Sequence, residues 1–428
     1  MKFNTINSTA KAALLSLAIG LGTVACSRDY TAAYVYSVSN STGQVSAFAV
    51  DYQSGVLTQI SGSPFTSNLT NPTTVIAAPN GKTLYEIGGS YQANVEVFSI
   101  GSDGKLYGEA TPSLYGQATY PTAAAIDSTG SYLYVTYTYQ GGYTPVSPGR
   151  GGVTIFHINA DGTLGTPSNV NLGNNPVAIA ASAPTCTATP VIPSSGPATC
   201  IILGSGSATN NGFENSFVYV VDAEIASAKP TVLGFAENPA NGGLTPTSAT
   251  NMTTFQGVAA GVFPSAIAID PTGKYVYVTD KQLNEIYGYQ IANGTTGNLT
   301  PLVTSPFATG LYPVAITIEP RGKYVYVANY NSSTVSSYSL NLASGSLGAS
   351  AGSGFTTTTG PTCVTVEPSL GIYLYTSDYL DASISGAELS PDTGQLSAVA
   401  NSFFPTVSQP ICLVAVANGA HAVQAIAP

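Results

Sequence analysis

The sequence predicts an all-β chain folded as a seven-bladed β-propeller with four-stranded blades, one of them assembled from both chain ends. Three recurring features predict it. A proline leading an apolar strand stands at Pro72, Pro121, Pro176, Pro264, Pro313, Pro361 and Pro410, with steps of 49, 55, 88, 49, 48 and 49 residues by difference. A Gly-x-Leu turn stands at Gly55/Leu57, Gly104/Leu106, Gly162/Leu164, Gly242/Leu244, Gly297/Leu299, Gly345/Leu347 and Gly394/Leu396. Between the two markers lies a Tyr-rich, β-branched strand: Tyr34–Val38, Leu84-Tyr85, Tyr132–Val135, Phe217–Val221, Tyr275–Val278, Tyr324–Val327 and Tyr373–Tyr375.

The stretch from Phe263 to Gly297 shows one unit whole. Apolar alternation through Ala266–Ile269 marks the innermost strand, Pro271-Thr272-Gly273 a tight turn, and Tyr275–Val278 the second strand. Glu285–Ile291 reads as the third strand, and the turn at Gly297 leads into a fourth around Leu299–Val303. A β-helix coil is much shorter than this unit, and no helical period is present, which excludes a helical solenoid.

The chain begins on a second strand (Ala33–Ser39), continues with a third (Gln44–Val50) and a fourth (Leu57–Phe65), and lacks a first. The missing strand is Ile411–Ala417 at the other end, so joining the ends closes the ring and hides the sheet edges. Cys363 and Cys412 each lie two residues after an opening proline, where other units carry Thr74, Ala123, Ala178, Ala266 and Ala315. Two readings follow: small residues in a crowded ring centre, or a disulfide clamping the closing blade.

Composition narrows the function classes. Only 7% of the 428 residues are charged, 27 are Tyr, and the net charge is −10. So many aromatics with so little charge is unlike a disordered chain, and the acidic balance argues against nucleic acid or an anionic membrane surface as partner. Residues 1–26 read as a leader outside the fold: Lys2 and Lys11, the apolar run Ala12–Val24, then Thr23-Val24-Ala25-Cys26. This resembles a bacterial lipoprotein signal, with Cys26 as the lipidated residue and membrane contact only through the lipid. Export to the cell envelope, on its periplasmic or outer side, follows from it. The propeller then spans 27–428. In an oxidising compartment Cys186 and Cys200, within one Pro/Ser/Thr-rich insertion, read as a local disulfide.

Two units are enlarged. An insertion at about 183–215 falls between first and second strands, on the face of the short Gly turns. The loop 138–152 falls between second and third strands, on the opposite face, which in propellers carries the variable binding loops.

Gly-Lys-Tyr-Val-Tyr-Val-Thr-Asp at 273–280 and Gly-Lys-Tyr-Val-Tyr-Val-Ala-Asn at 322–329, with the Gly-x-Leu turns, resemble the lactonase family of seven-bladed propellers. This is the 6-phosphogluconolactonase-like group with its YVTN-type repeat relatives, and the likeness covers roughly residues 30–428. It implies hydrolysis of a sugar lactone on a site of Arg, His and Glu. The chain departs from that pattern, because beyond the leader it has only Arg28, Arg150, Arg321, His157 and His421. A phosphosugar site gathers several cations, and only Arg150 and Lys281 are suitably placed. Arg321 reads as a solvated turn residue and His157 as an ordinary strand position.

The carboxylates divide by face. Asp127, Asp270, Glu319 and Glu367 stand six residues after an opening proline and read as turn caps. Asp222, Glu224, Asp280, Asn329, Asp378 and Asp381 end or follow second strands on the 138–152 face. Tyr120, Phe263 and Tyr312, each just before an opening proline, should ring the same mouth. Carboxylates with exposed aromatics suit a sugar ring, a cation or a peptide. No H-E-x-x-H, C-x-x-C, G-x-S-x-G, P-loop or dinucleotide fingerprint is present. The expectation is a binding propeller for a carbohydrate, lactone or envelope protein, with no cofactor and no metal indicated, although the carboxylates would tolerate a divalent cation. The alternative is lactone hydrolysis, with Arg150 orienting the substrate and Asp280 activating water.

Overall fold

A computed structural model describes residues 30–40, 43–90, 92–140, 146, 149–173, 175–183, 190–191, 199–200, 216–223, 229–292, 296–350 and 354–419. Most of the 183–215 insertion, much of the 138–152 loop, the leader with Cys26, and Cys186, Glu224 and His421 lie outside the described residues.

Seven antiparallel blades form the ring, and the expected closure holds: Pro410–Ala417 pairs with Thr31–Ser39, which pairs with Gln44–Asp51. Numbering this closing blade 1, blades 2 to 7 open with strands Pro72–Ala77, Thr119–Ile126, Pro176–Ala181, Pro264–Ile269, Pro313–Ile318 and Pro361–Val366. These innermost strands contact one another around the ring. The second strands bury both faces because each is covered by its own blade's neighbours and by adjacent blades; Tyr275–Asp280 is buried at every position.

The outermost strand differs from the sequence expectation. In blade 5 it is two short pieces, Leu299–Pro301 and Phe307–Ala308, both pairing with the third strand Glu285–Ile291. A turn closed by the Ser305 N–H donating to the Leu302 carbonyl lies between them, and the outer strands of blades 4, 6 and 7 divide likewise with no proline between their pieces. Blade 1 breaks in the same way, into Leu57–Gln59 and Phe65–Thr66.

The core consists of seven apolar layers among the described residues, each between two adjacent blades. One hydrogen bond recurs at every seam and explains two sequence markers together. The Tyr hydroxyls of Tyr36, Tyr85, Tyr134, Tyr219, Tyr277, Tyr326 and Tyr375 donate to the turn carbonyls of Gly104, Gly162, Gly242, Gly297, Gly345, Gly394 and Gly55, at 2.7–3.1 Å. The glycine is required because its carbonyl must come down onto the preceding blade's ring. At Gly55, φ is +67° and an added Cβ would lie 2.3 Å from Tyr373 Cδ1.

The turn-capping carboxylates behave as expected. Asp270 accepts from the backbone N–H groups of Thr272, Lys274 and Tyr275, and Asp127, Glu319 and Glu367 act in the same way. Arg321 corrects the sequence reading. Its Nε lies 2.9 Å from the buried Glu319 carboxylate and its side chain is 14% exposed, so it is packed down rather than solvated.

Candidate ligand-binding site

Second-to-third strand turns and the connections between blades share one face of the ring, the mouth face. The residue preceding an opening proline sits there. Asn71, Tyr120, Tyr312 and Gly360 all take positive φ at that position. For a tyrosine this is a sparsely populated conformation that surrounding structure must hold. At Tyr312 two bonds do so. Its N–H donates to Asn284 Oδ1 at 2.7 Å, and its carbonyl accepts from Tyr330 N–H at 2.9 Å.

The held backbone turns the Tyr312 ring toward blade 5. Lys281 Nζ lies 4.5 Å from the Phe263 ring centroid and 5.5 Å from the Tyr312 centroid, so one ammonium contacts two aromatic rings. Burial pushes the Lys281 pKa down, and the Asp280 carboxylate beneath it partly opposes that shift. Gln282, Asn284, Leu311 and Asn331 complete a shallow depression of about 460 Å³ between blades 5 and 6. Phe263, Leu311 and Tyr312 are 45%, 57% and 37% exposed, so the rings are open to a ligand.

The strand-end acids occupy a different layer. Asp280 is fully buried. Its carboxylate accepts from the backbone N–H groups of Val262, Phe263, Gln282 and Leu283, fastening the turn to the inter-blade connection. That corrects its assignment as a water-activating base: its lone pairs are committed to four donors and it does not face solvent. Asp222 is likewise buried and accepts from Asn175 N–H at 3.1 Å. Asp378 accepts from the Thr358, Thr376 and Ser385 hydroxyls, and burial raises it to about 6 against that partial compensation. Asn329 does the same work with an amide, bonding Thr309, Thr334 and Ser336. These four residues lock loops rather than line the mouth.

Arg150 is exposed and stacks on Phe255 of blade 4, with its guanidinium carbon 4.5 Å from the ring centroid. Among the described residues no contact joins it to Asp280, which is bonded within blade 5. Tyr120 meets Tyr139 edge to face at 5.7 Å, away from Lys281. Of the sequence-predicted residues, the structure therefore gathers Phe263, Lys281 and Tyr312. Asp381 lies on the mouth face and accepts from Thr359 N–H. His157 is exposed on its strand beside Tyr132, as the repeat implies. Among the described residues no group of three or more His, Cys, Asp or Glu is arranged to hold a metal. No helix of the described residues is long and apolar enough to cross a membrane.

At the ring centre Cys363 and Cys412 are joined as a disulfide with Cα atoms 4.9 Å apart, linking the first strands of blades 7 and 1. Cys200 ends a two-residue strand that pairs with Pro190–Val191 within the insertion.

The residues missed by sequence reasoning are Gln282, Asn284, Leu311 and Asn331. A signal for them existed: Lys281 stands where blades 6 and 7 carry Tyr330 and Tyr379, so blade 5 breaks an aromatic repeat with a cation.

A sequence profile described as "Lactonase, 7-bladed beta-propeller" matches residues 30–184 and 211–366. Its gap falls on the insertion. No curated protein sequence matches the chain. Among solved structures, a periplasmic gluconolactonase of Pseudomonas aeruginosa is 16% identical with a TM-score of 0.65, covering 90% of this chain and 99% of its own. A Bacteroides fragilis protein provisionally described as a 6-phosphogluconolactonase is 17% identical, with a TM-score of 0.63 and coverage of 91% and 99%. A Lactobacillus plantarum protein gives 15%, 0.64, 90% and 99%. At these identities the likeness is one of fold.

Proposed function

The chain belongs to the seven-bladed β-propeller lactonase family, and from that premise we propose that it is a binding propeller for a sugar acid or its lactone. The observation that carries this reading is Lys281 held between Phe263 and Tyr312. Aromatic faces accept the C–H faces of a sugar ring. A lysine ammonium with partly stripped hydration offers a strong donor to a carboxylate or lactone oxygen, and Gln282, Asn284 and Asn331 can bond hydroxyls. A bare sugar would need no cation, whereas a phosphosugar would call for several.

The reading favours binding over hydrolysis because the carboxylates nearest the mouth are occupied with backbone and hydroxyl donors. Action at the cell envelope is part of the proposal and rests on the leader ending at Cys26. Calorimetric titration of aldonolactones and aldonic acids into wild type, Lys281→Met and Tyr312→Ala tests it. Saturable heat that both substitutions remove supports the reading; equal heats from all three proteins overturn it.

A further inference from the structure

Glu86 and Glu96 are directly paired across the second and third strands of blade 2. Strand alternation turns both toward blade 1, because Leu84 and Phe98, on the same sides of their strands, pack with Tyr36 and Val38 of that blade. Glu86 is fully buried and Glu96 is 2% exposed. Glu96 is held: Oε1 accepts from Asn68 Nδ2 at 2.8 Å, and Oε2 accepts from the Thr111 hydroxyl. Neither oxygen of Glu86 receives a hydrogen bond of good distance and angle; the Ser67 hydroxyl is the one donor close enough to favour its charged form, and it leaves most of the carboxylate's bonding capacity unused. At the equivalent position blades 3 to 7 carry Val135, Val220, Val278, Val327 and Thr376, which fill that space without charge.

A buried carboxylate without a partner costs several kcal/mol, roughly, unless it is neutralised. The repeat shows that an uncharged side chain suffices for packing here, so the glutamate points to a neutralising species from outside the chain. We propose that the seam between blades 1 and 2 is a divalent-cation site with Glu86 and Glu96 as its anionic ligands. Ser67, Thr111 and the Asn68 amide, once turned oxygen-inward, supply neutral oxygens.

Two carboxylates balance one divalent charge. The donors are all hard oxygens, and calcium accepts such sets with less rigid geometry than magnesium requires. The ion would tie the connection carrying Ser67 and Asn68 to the strands of blade 2, fastening the closing blade to its neighbour. The site is separate from the mouth ligand and does not depend on it.

The test uses the full chain, stripped with EDTA and gel-filtered at pH 8, then loaded with calcium, magnesium or potassium chloride. Calcium is expected to raise Tm saturably, and elemental analysis after a second gel filtration should find about one equivalent retained per chain. Glu86→Gln should abolish both responses while remaining at least as stable as wild type in EDTA. Wild type that retains no metal and shows no specific Tm rise overturns the proposal whatever the variant does.

Discussion

Tyr375 Oη donates a 2.7 Å hydrogen bond to the carbonyl of Gly55, joining residues 320 positions apart. The same Tyr-to-Gly bond fastens the other six seams at separations as short as 68 residues. Only at the Tyr375 seam does it run from the last full blade to the one built from both ends. Tyr375→Phe removes the donor and leaves a buried carbonyl unpaired. It is expected to cost about 1–3 kcal/mol, read as a lower urea midpoint with unchanged slope. An unchanged midpoint would show that the bond does not contribute to closure.

Gly55→Ala tests the other half of that contact. The position has positive φ, and the new methyl would strike the Tyr373 ring. The expected loss exceeds about 1 kcal/mol, measurable in the same urea experiment, and the ring must shift to admit the methyl. Stability equal to wild type would contradict the packing described.

Asp280→Asn separates a structural from a catalytic role. One amide oxygen cannot replace a carboxylate that accepts from four N–H groups. Stability should fall by about 1–3 kcal/mol, while the heat of ligand binding per folded molecule stays the same. Loss of ligand response without loss of stability would restore Asp280 to the site.

Asp378 gives a pH signature. Burial raises its carboxyl to about 6, above its unfolded value, so the folded state holds a proton that the unfolded chain has already released. Its contribution is therefore greatest at low pH and is lost as pH rises from about 4 to about 6. Asn329 already shows that an amide suits this place. The stability of wild type minus that of Asp378→Asn should decline across that window and level off above it; a flat difference would contradict the assignment.

The Cys363–Cys412 pair closes a loop of 49 residues in sequence separation. In the chain-entropy estimate such a crosslink is worth about 4 kcal/mol. Denatured, unreduced protein should show no free thiol from these two residues, and Cys363→Ala/Cys412→Ala should melt earlier than wild type. Two titratable thiols before reduction would show the pair to be unlinked.

The fold was legible because each marker has a repeated physical cause. The opening prolines, the Tyr-rich strands and the Gly-x-Leu turns all serve the seams, so they recur with the blade. The candidate site was legible only in part. Asp280 looks like a mouth residue from its place after a strand, because sequence does not say whether a carboxylate turns out to solvent or back onto loop N–H groups. Its equivalent in blade 6, Asn329, hinted at a local bonding role. Lys281 was recognisable as one of two cations suitably placed for a ligand. Its two aromatic contacts were not, because Phe263 and Tyr312 come from different blades and meet only when Tyr312 adopts a positive φ.

The most direct measurement is base consumption by purified protein on a panel of sugar and aliphatic lactones, run beside calorimetric titration of the same compounds with Lys281→Met and Arg150→Ala as controls. A binding propeller predicts saturable heat that depends on Lys281, no dependence on Arg150, and base uptake at the buffer rate. Turnover well above buffer that Lys281→Met leaves intact and Arg150→Ala removes would contradict it and move the site to blades 3 and 4.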